Sequence, residues 1–304
     1  MEKLEEHIME HMADKDPKDI KVSEFKLSDF KFRNKKLKKL SEAAKRKRMD
    51  VFMQFNAYFI DVLPFIAYAK SKLDKSKPLD RLTTHFLNTK ELILLNVKNK
   101  YMKKVVDGLP SGGGTSVKVL RRDAQRLADA GKVDHKGEKS IFGQIWRQVK
   151  GNNFNTLCIN ESGSQAWYVR LIGEGSIDAG GPYRETITNI CDELQSALLP
   201  LLVPTQNNKN DHGENRDCWV PNPSSVAPTH LEMFEFFGAL LGMSFRSGSV
   251  LNLNLTSFFW KQLNEEAIEY ADVKGIDTYS TQCIDELKKL RKKLKPAEFE
   301  AYID

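Results

Sequence analysis

The sequence predicts an α+β protein that is predominantly α-helical and has a few short strands. Apolar residues recur at helical spacing over several long stretches, while one short stretch alternates as a strand does. The hydrophobic content of 40% is enough for a buried core. No apolar stretch approaches the roughly 20 residues of a membrane span, and the charged first residues do not resemble a signal peptide. We therefore expect a soluble protein inside the cell, without a membrane partner.

The first residues carry unevenly distributed charge. The net charge is +6, yet residues 1–16 are acidic and residues 31–48 hold ten bases against Glu42 alone. Such a basic block can bind phosphate groups or act as a nuclear address. Nucleic-acid binding is not favoured, because no aromatic residue interleaves from Lys35 to Arg48. We expect residues 1–48 to be a charged, disordered lead-in, and the location to be cytoplasmic unless the basic run from Lys45 to Arg48 directs the chain to the nucleus.

Upstream helices are expected over residues 49–137. The stretch 49–68 has helical periodicity that Pro64 should kink or end, and a second helix is expected over residues 82–106. Residues 108–116 contain three consecutive glycines and predict a flexible linker. They do not form a phosphate loop, since no Gly-Lys-Ser/Thr follows.

The second half of the chain alternates helical stretches with turns. Residues 166–172 alternate and are rich in β-forming side chains, so they predict a strand. Residues 204–229 hold four prolines and many polar residues and predict a long surface loop. Ser140 and Thr256 are candidate N-caps, and Pro182 suits a first helical turn. Helices are expected over residues 117–131, 140–150, 182–198, 231–246, 256–263 and 279–294.

No residue pattern in this sequence points to a nucleophile, a metal site or a bound nucleotide. The glycine-rich residues 173–181 do not form a dinucleotide-binding motif, because Asp178 occupies the position of the third glycine. His7 and His11 match H-x-x-E-H, but the charged tail offers no third zinc ligand. The cysteines form no Cys-x-x-Cys pair, so reduced thiols are expected, with Cys191 on a buried helix face. We expect no metal and no cofactor. The four cysteines are Cys158, Cys191, Cys218 and Cys283.

From residue 140 onward, six ordered blocks resemble the N-terminal lobe of the HECT ubiquitin ligases, in wording closest to the giant HERC-type members. The most recognisable block is a strand followed by a glycine turn and an Arg-Glu helix start. The others include a Phe-Gly-Gln helix segment, an Asn-Pro-Ser-Ser turn and a Phe-Trp-Lys-Gln-Leu helix. The six blocks are residues 142–144, 167–169 together with 173–185, 199–205, 219–225, 233–242 and 253–263.

The resemblance implies a HECT N-lobe-like bundle in residues 138–304, with structural roles for several motif residues. Glycines between strand and helix allow a positive φ, and the Asn-Pro-Ser-Ser side chains can bind loop backbone. These residues are Gly175, Asp178, Gly180, Gly181, Arg184, Glu185, Asn222, Pro223 and Trp260.

The resemblance also implies a mechanism. Ligases of this family take ubiquitin from a conjugating enzyme (E2) onto a cysteine and pass it to a substrate lysine, so E2, ubiquitin and substrate proteins are the implied partners. Tyr279, Ile284 and Leu287 are the candidate E2-docking residues. The cysteine of the family lies beyond residue 304, so no catalytic residue is expected here. We expect this chain to be a ligase fragment that is inactive alone and has an incomplete E2-docking subdomain. The alternative is a non-catalytic adaptor that uses the same lobe for binding.

Overall fold

The computed structural model describes residues 17–26, 38–63, 78–112, 114–152, 154–160, 164–174, 180–295 and 299. The described elements are mostly α-helices, with four short strands. The predicted fold class is therefore confirmed. The chain divides into two compact units, Met1–Leu109 and Pro110–Asp304. The domain boundaries predicted from the sequence stay predictions.

The described residues of the first unit form three α-helices, which we label α1 (Glu42–Val62), α2 (Pro78–Thr89) and α3 (Leu95–Asp107). The single helix expected over residues 82–106 was wrong, because a 3₁₀ turn at Lys90–Leu92 separates α2 from α3. Buried Asn56 stabilises the chain between them: its amide accepts from Leu94 N at 2.7 Å and donates to Leu92 O at 3.0 Å. Pro64 lies outside the described residues, two positions after α1 ends.

Part of the expected lead-in packs into the core of this unit. Ile20, Val22 and Phe25 are buried in one cluster with Met53 of α1. The Arg46 guanidinium of α1 donates to Val22 O and Phe25 O at 3.2 and 3.1 Å. Residues 17–26 thus differ from the disorder expected of them, because three spaced apolar side chains gain enough burial to order the segment.

The second unit is built on helices and two small sheets. Its elements are β1 (Thr115–Val119), α4 (Arg121–Asp129), α5 (Ile141–Val149), β2 (Trp167–Leu171), α6 (Gly181–Leu194), β3 (Leu202–Pro204), α7 (Gln206–Lys209), β4 (Trp219–Pro221), α8 (Pro228–Ser247), α9 (Ser257–Leu263), α10 (Tyr270–Lys274) and α11 (Thr278–Lys293). Strands β1 and β2 pair in parallel, Val117 opposite Val169, and β3 pairs with β4 antiparallel. The strand at 166–172 is confirmed; the helix expected over 117–131 was wrong at 117–119, which belong to β1.

Glutamine side chains seal the open edge of β1. Gln148 of α5 accepts from Lys118 N at 2.9 Å and donates to Lys118 O at 2.8 Å. Gln144, one helical turn earlier, contacts Leu120 N and O in the same way at 2.7 and 3.1 Å. The two amides therefore take the place of a neighbouring strand, which keeps the backbone groups of an edge strand satisfied.

The N-terminus of α5 is held by buried acceptors. Ser140 is its N-cap, as predicted, and Ser140 Oγ accepts from Gly143 N at 3.0 Å. The carboxylate of Glu193, on α6, accepts from Ile141 N and Phe142 N, both at 2.7 Å. Asp134 in turn accepts from Ser140 N at 2.8 Å. The first three N–H groups of α5 thus have acceptors, although no water reaches them.

The Phe-Gly-Gln segment of α5 has a steric reason for its glycine. Phe142 is fully buried against Phe236 of α8, with ring centroids 4.9 Å apart. A Cβ on Gly143 would lie 2.5 Å from the Cα of Gly137, because the loop before α5 crosses the helix there. The glycine is therefore needed for close packing of backbone on backbone.

We expect Gly143→Ala to lower the free energy of unfolding by about 1–3 kcal/mol, since the added methyl group forces the two backbones apart. Gly242→Ala is the control: a Cβ there meets no atom within 4 Å. Alanine in this helix should raise stability by about 0.5–1 kcal/mol. Urea unfolding followed by tryptophan fluorescence measures both. Equal effects of the two substitutions would contradict the steric explanation.

Candidate functional site

The last three helices of the described chain are joined by buried polar contacts. Asp272 of α10 accepts from Lys261 Nζ of α9 at 2.7 Å and from Glu269 N at 2.8 Å. The hydrogen bond from Lys261 is the main cause that lowers the pKa of Asp272. The carboxylate therefore stays charged and fixes the start of α10 to α9.

One face of α11 is packed against the rest of the unit. Thr278 and Thr281 are buried, and the Tyr270 hydroxyl of α10 lies 2.9 Å from both Thr281 O and Asp285 Oδ1. The Lys288 ammonium lies 4.8 Å from the centre of the Tyr270 ring. These contacts fix which side of α11 faces outward.

The outward side of α11 is apolar, and we call it the α11 face. Its residues fall within a sector of about 140° at 3.6 residues per turn. Tyr279 is 67% exposed, Ile284 43% and Leu287 40%. The predicted docking residues thus lie on one exposed helix side, while their role stays a prediction. The α11 face consists of Tyr279, Cys283, Ile284, Leu287 and Leu290.

Asn207, in α7, holds the turn that precedes α11. Its Oδ1 accepts from Thr278 N at 2.7 Å, and its Nδ2 donates to Glu214 O at 2.9 Å and to Gly275 O at 3.2 Å. The side chain is almost fully buried, and its backbone N–H donates to Ile276 O at 3.1 Å. Asn207 therefore connects the segment after β3 to the start of α11. The interpretation of residues 204–229 as a plain surface loop was wrong here.

Of the two glycines before α6 that could adopt a positive φ, Gly180 does and Gly181, which is helical, does not. Gly180 is the N-cap of α6 with φ of 99°, in the left-handed region that favours glycine. Glu185 pairs with Arg121 of α4 at 2.6 Å, and Arg184 is exposed. Gly175 and Asp178 lie outside the described residues, while Gly181 opens α6.

The Asn-Pro-Ser-Ser turn follows β4 and is bound to the backbone before β3. Asn222 Nδ2 donates to Pro200 O at 2.8 Å, Asn222 N donates to Leu201 O at 2.8 Å, and Ser225 Oγ also donates to Pro200 O. Pro223 is exposed in the turn. Trp260 of α9 is 39% exposed and contacts the Phe259 ring edge-on. These contacts are structural in kind, and the assigned roles remain predictions.

The four thiols differ in environment. Cys191 and Cys218 are buried, and burial raises the pKa of each to about 11. Cys158 is half-buried, and Cys283 is exposed on the α11 face. A thiol with a pKa of about 11 is almost entirely protonated at neutral pH and is a poor nucleophile. The buried face predicted for Cys191 is confirmed.

Within the described ranges, no three His, Cys, Asp or Glu side chains converge as metal ligands, and no helix has the length and apolarity needed to cross a membrane. His7 and His11 lie outside these ranges.

The described part of the second unit is a helical bundle with an exposed apolar helix face, a feature typical of protein-binding surfaces. Residues 188–302 match the family model of the HECT domain, a ubiquitin-transferase. This part of the chain is therefore similar to the HECT domain, in agreement with the resemblance predicted from the sequence. The matched range includes the α11 face, Asn207 and Asn222.

Curated relatives agree with the family match. The mouse E3 ubiquitin-protein ligase HERC2 is 42% identical over 141 residues, which are 46% of this chain and 3% of that relative. The human probable E3 ubiquitin-protein ligase HECTD4 is 28% identical over 169 residues, 50% of this chain and 4% of the relative. Smurf1 of Drosophila melanogaster, another E3 ligase, is 32% identical over 109 residues, 36% and 10% respectively. The chain thus spans a small fraction of each relative.

Sequence reasoning missed two buried polar residues that support the site. Glu193 and Asn207 both stand where helical periodicity or local composition indicates a surface residue. Their only sequence signal is position: Glu193 lies beside Leu194, on the border of an apolar helix face, and Asn207 lies two residues after Thr205, the N-cap of α7. Neither signal identifies the backbone groups that each side chain binds.

Proposed function

We propose that this chain supplies the scaffold and the E2-docking surface of a ubiquitin ligase that transfers ubiquitin through a cysteine thioester. The observation that carries the proposal is the exposed α11 face inside the HECT-matched range. Exposed apolar side chains on a rigid helix provide the anchors that protein interfaces depend on. The partners proposed are a ubiquitin-charged E2, ubiquitin and a substrate protein with an accessible lysine.

The thioester cysteine is proposed to lie outside residues 1–304. Cys191 and Cys218 are buried with raised pKa values, so each is a poor nucleophile toward a thioester at neutral pH. Cys283 is exposed but lies in the middle of the face that the E2 would cover. In this proposal the chain binds and orients the charged E2, while the thiol that accepts ubiquitin is supplied elsewhere. No cofactor takes part.

Cys283 offers a direct test of E2 docking. We expect a saturating E2 to slow alkylation of Cys283 by a maleimide at least about tenfold, because a covered thiol is shielded from the reagent. A Cys158→Ser background removes the half-buried thiol, and mass spectrometry assigns the modified residue. Unchanged alkylation in the presence of every E2 of a broad panel would contradict docking on this face.

Two matched variants separate this face from the rest of the surface. Ile284→Ala with Leu287→Ala should weaken E2 binding by about tenfold or more, since both remove anchor contacts. Val250→Ala removes a side chain that is 85% exposed on another segment and should leave binding unchanged.

Incubation with charged E2 should give no thiol-sensitive ubiquitin adduct on the chain. An adduct on Cys283 would overturn the placement of the thioester cysteine.

A further inference from the structure

The acidic and basic residues of α11 lie in different parts of the helix. The acids are Asp277 at the N-cap and Asp285 and Glu286 in the middle of the helix, whereas residues 288–295 hold six bases and no acid. Helix C-termini favour basic residues, because the helix macrodipole places about half a negative charge there. One or two bases would be enough for that purpose, so the remaining charges need another explanation.

Three of these bases have no acidic partner in the described part of the chain. Lys289 is paired with Glu286 at 2.6 Å, and Lys288 lies over the Tyr270 ring. Arg291, Lys292 and Lys293 are exposed and form no ion pair with any described residue. Their charges are therefore available to a binding partner.

Two of the unpaired bases, Arg291 and Lys293, lie beside the α11 face. Arg291 follows Leu287 by four residues and Ile284 by seven, so it lies on the same side of the helix as both. Lys293 follows Leu290 by three residues and borders the opposite edge of the apolar stripe. An apolar anchor with a basic rim at one end complements a partner surface that is apolar in the middle and acidic on one side.

We propose that the α11 face selects, among E2 enzymes, those that carry acidic side chains beside the apolar residues of their docking surface. The inference rests on the proposed function and adds the chemistry by which one E2 is preferred over another. Rim charges act chiefly on association rate and on the choice of partner, and salt screens them. The apolar contacts supply most of the affinity, while the bases set the preference.

The test uses the full chain, a panel of E2 enzymes with acidic or basic docking surfaces, and a triple charge reversal, Arg291→Glu, Lys292→Glu and Lys293→Glu. The control reverses the same number of charges on other elements at Arg122, Lys132 and Lys136, which are exposed. For acidic E2s we expect the α11 reversal to weaken binding about tenfold at about 0.05 M salt and less than about twofold at about 0.5 M salt. The control should change affinity less than about twofold at either salt concentration.

The outcomes separate the inference from the function on which it rests. If Ile284→Ala with Leu287→Ala abolishes E2 binding while the charge reversal changes nothing, docking stands and charge selection is overturned. If the charge reversal strengthens the binding of acidic E2s, the bases do not attract acidic E2s and charge selection is overturned. A duplex DNA oligonucleotide is the second probe: loss of DNA binding with E2 affinity unchanged would assign the bases to nucleic acid instead. If no E2 binds, both proposals fail.

Discussion

Glu193→Ala is expected to lower the free energy of unfolding of the second unit by about 2–5 kcal/mol, because it leaves two buried N–H groups without an acceptor. Those groups are Ile141 N and Phe142 N, each 2.7 Å from a carboxylate oxygen. Glu193→Gln keeps one acceptor but turns an NH₂ group toward the other N–H, so about half of that loss is expected. All four tryptophans belong to the second unit, so fluorescence during urea unfolding reports on it specifically.

Glu185→Ala is the control for this prediction. Glu185 is on the same helix and pairs with Arg121 at 2.6 Å, but the pair is exposed. Exposed ion pairs contribute about 0–1 kcal/mol, so the loss should be small. A Glu193→Ala variant as stable as Glu185→Ala would contradict the role given to the buried carboxylate.

The titration of Glu193 gives this prediction a pH dependence. Burial raises the pKa of Glu193 from 4.5 to about 7, and outweighs the two backbone N–H groups that favour the charged form. The folded protein therefore holds the proton more tightly than the unfolded chain does. The contribution of this group to the free energy of unfolding falls as pH rises from about 4.5 to about 7. The stability difference between wild type and Glu193→Gln should narrow over that interval, and a difference that widens would contradict it.

The helices were predictable from the sequence where one signal dominates. In α5, α6, α8 and α11 the apolar spacing agrees with the end signals, which are the N-cap Ser140, the first-turn Pro182 and the C-cap Gly248, so local and tertiary preferences coincide. Strand β1 was not predictable, because its alternation is only five residues long and its stability comes from β2 and from the Gln144 and Gln148 amides far along the chain. Such non-local hydrogen bonds leave no periodicity in the sequence.

The candidate site was also predictable only in part. The exposed apolar stripe of α11 is visible as Tyr279, Ile284 and Leu287 at helical spacing, so the family resemblance and the periodicity agree on where to look. What the spacing could not decide is which side of the helix is buried. That depends on the Tyr270 contacts with Thr281 and Asp285, and on Asn207, which is 71 residues before the Thr278 it binds.

Asn207→Ala is expected to loosen α11 and to weaken E2 binding about tenfold or more, although Asn207 lies outside the α11 face. The substitution leaves Thr278 N without an acceptor and removes the donor shared by Glu214 O and Gly275 O. Each unsatisfied buried group costs about 1–3 kcal/mol, so the turn before α11 should open locally. Hydrogen exchange of the α11 amides measures the opening, and binding of the E2 panel measures its consequence.

Two further variants decide whether Asn207 acts through these bonds or through its volume. Asn207→Asp has nearly the same shape and keeps the acceptor for Thr278 N, but it places a second oxygen against Glu214 O and Gly275 O. Asn207→Asp should therefore speed hydrogen exchange of the α11 amides almost as much as Asn207→Ala does, because a carboxylate oxygen then faces two carbonyl oxygens and no donor lies between them. Asn208→Ala removes a single amide contact to Cys218 O at 3.3 Å and should cost only about 0.5–1.5 kcal/mol. If the α11 amides exchange at the same rate in Asn207→Ala and Asn208→Ala, and the two variants bind E2 with equal affinity, Asn207 does not position the docking helix. In that case the Tyr270 contacts alone hold the orientation of α11.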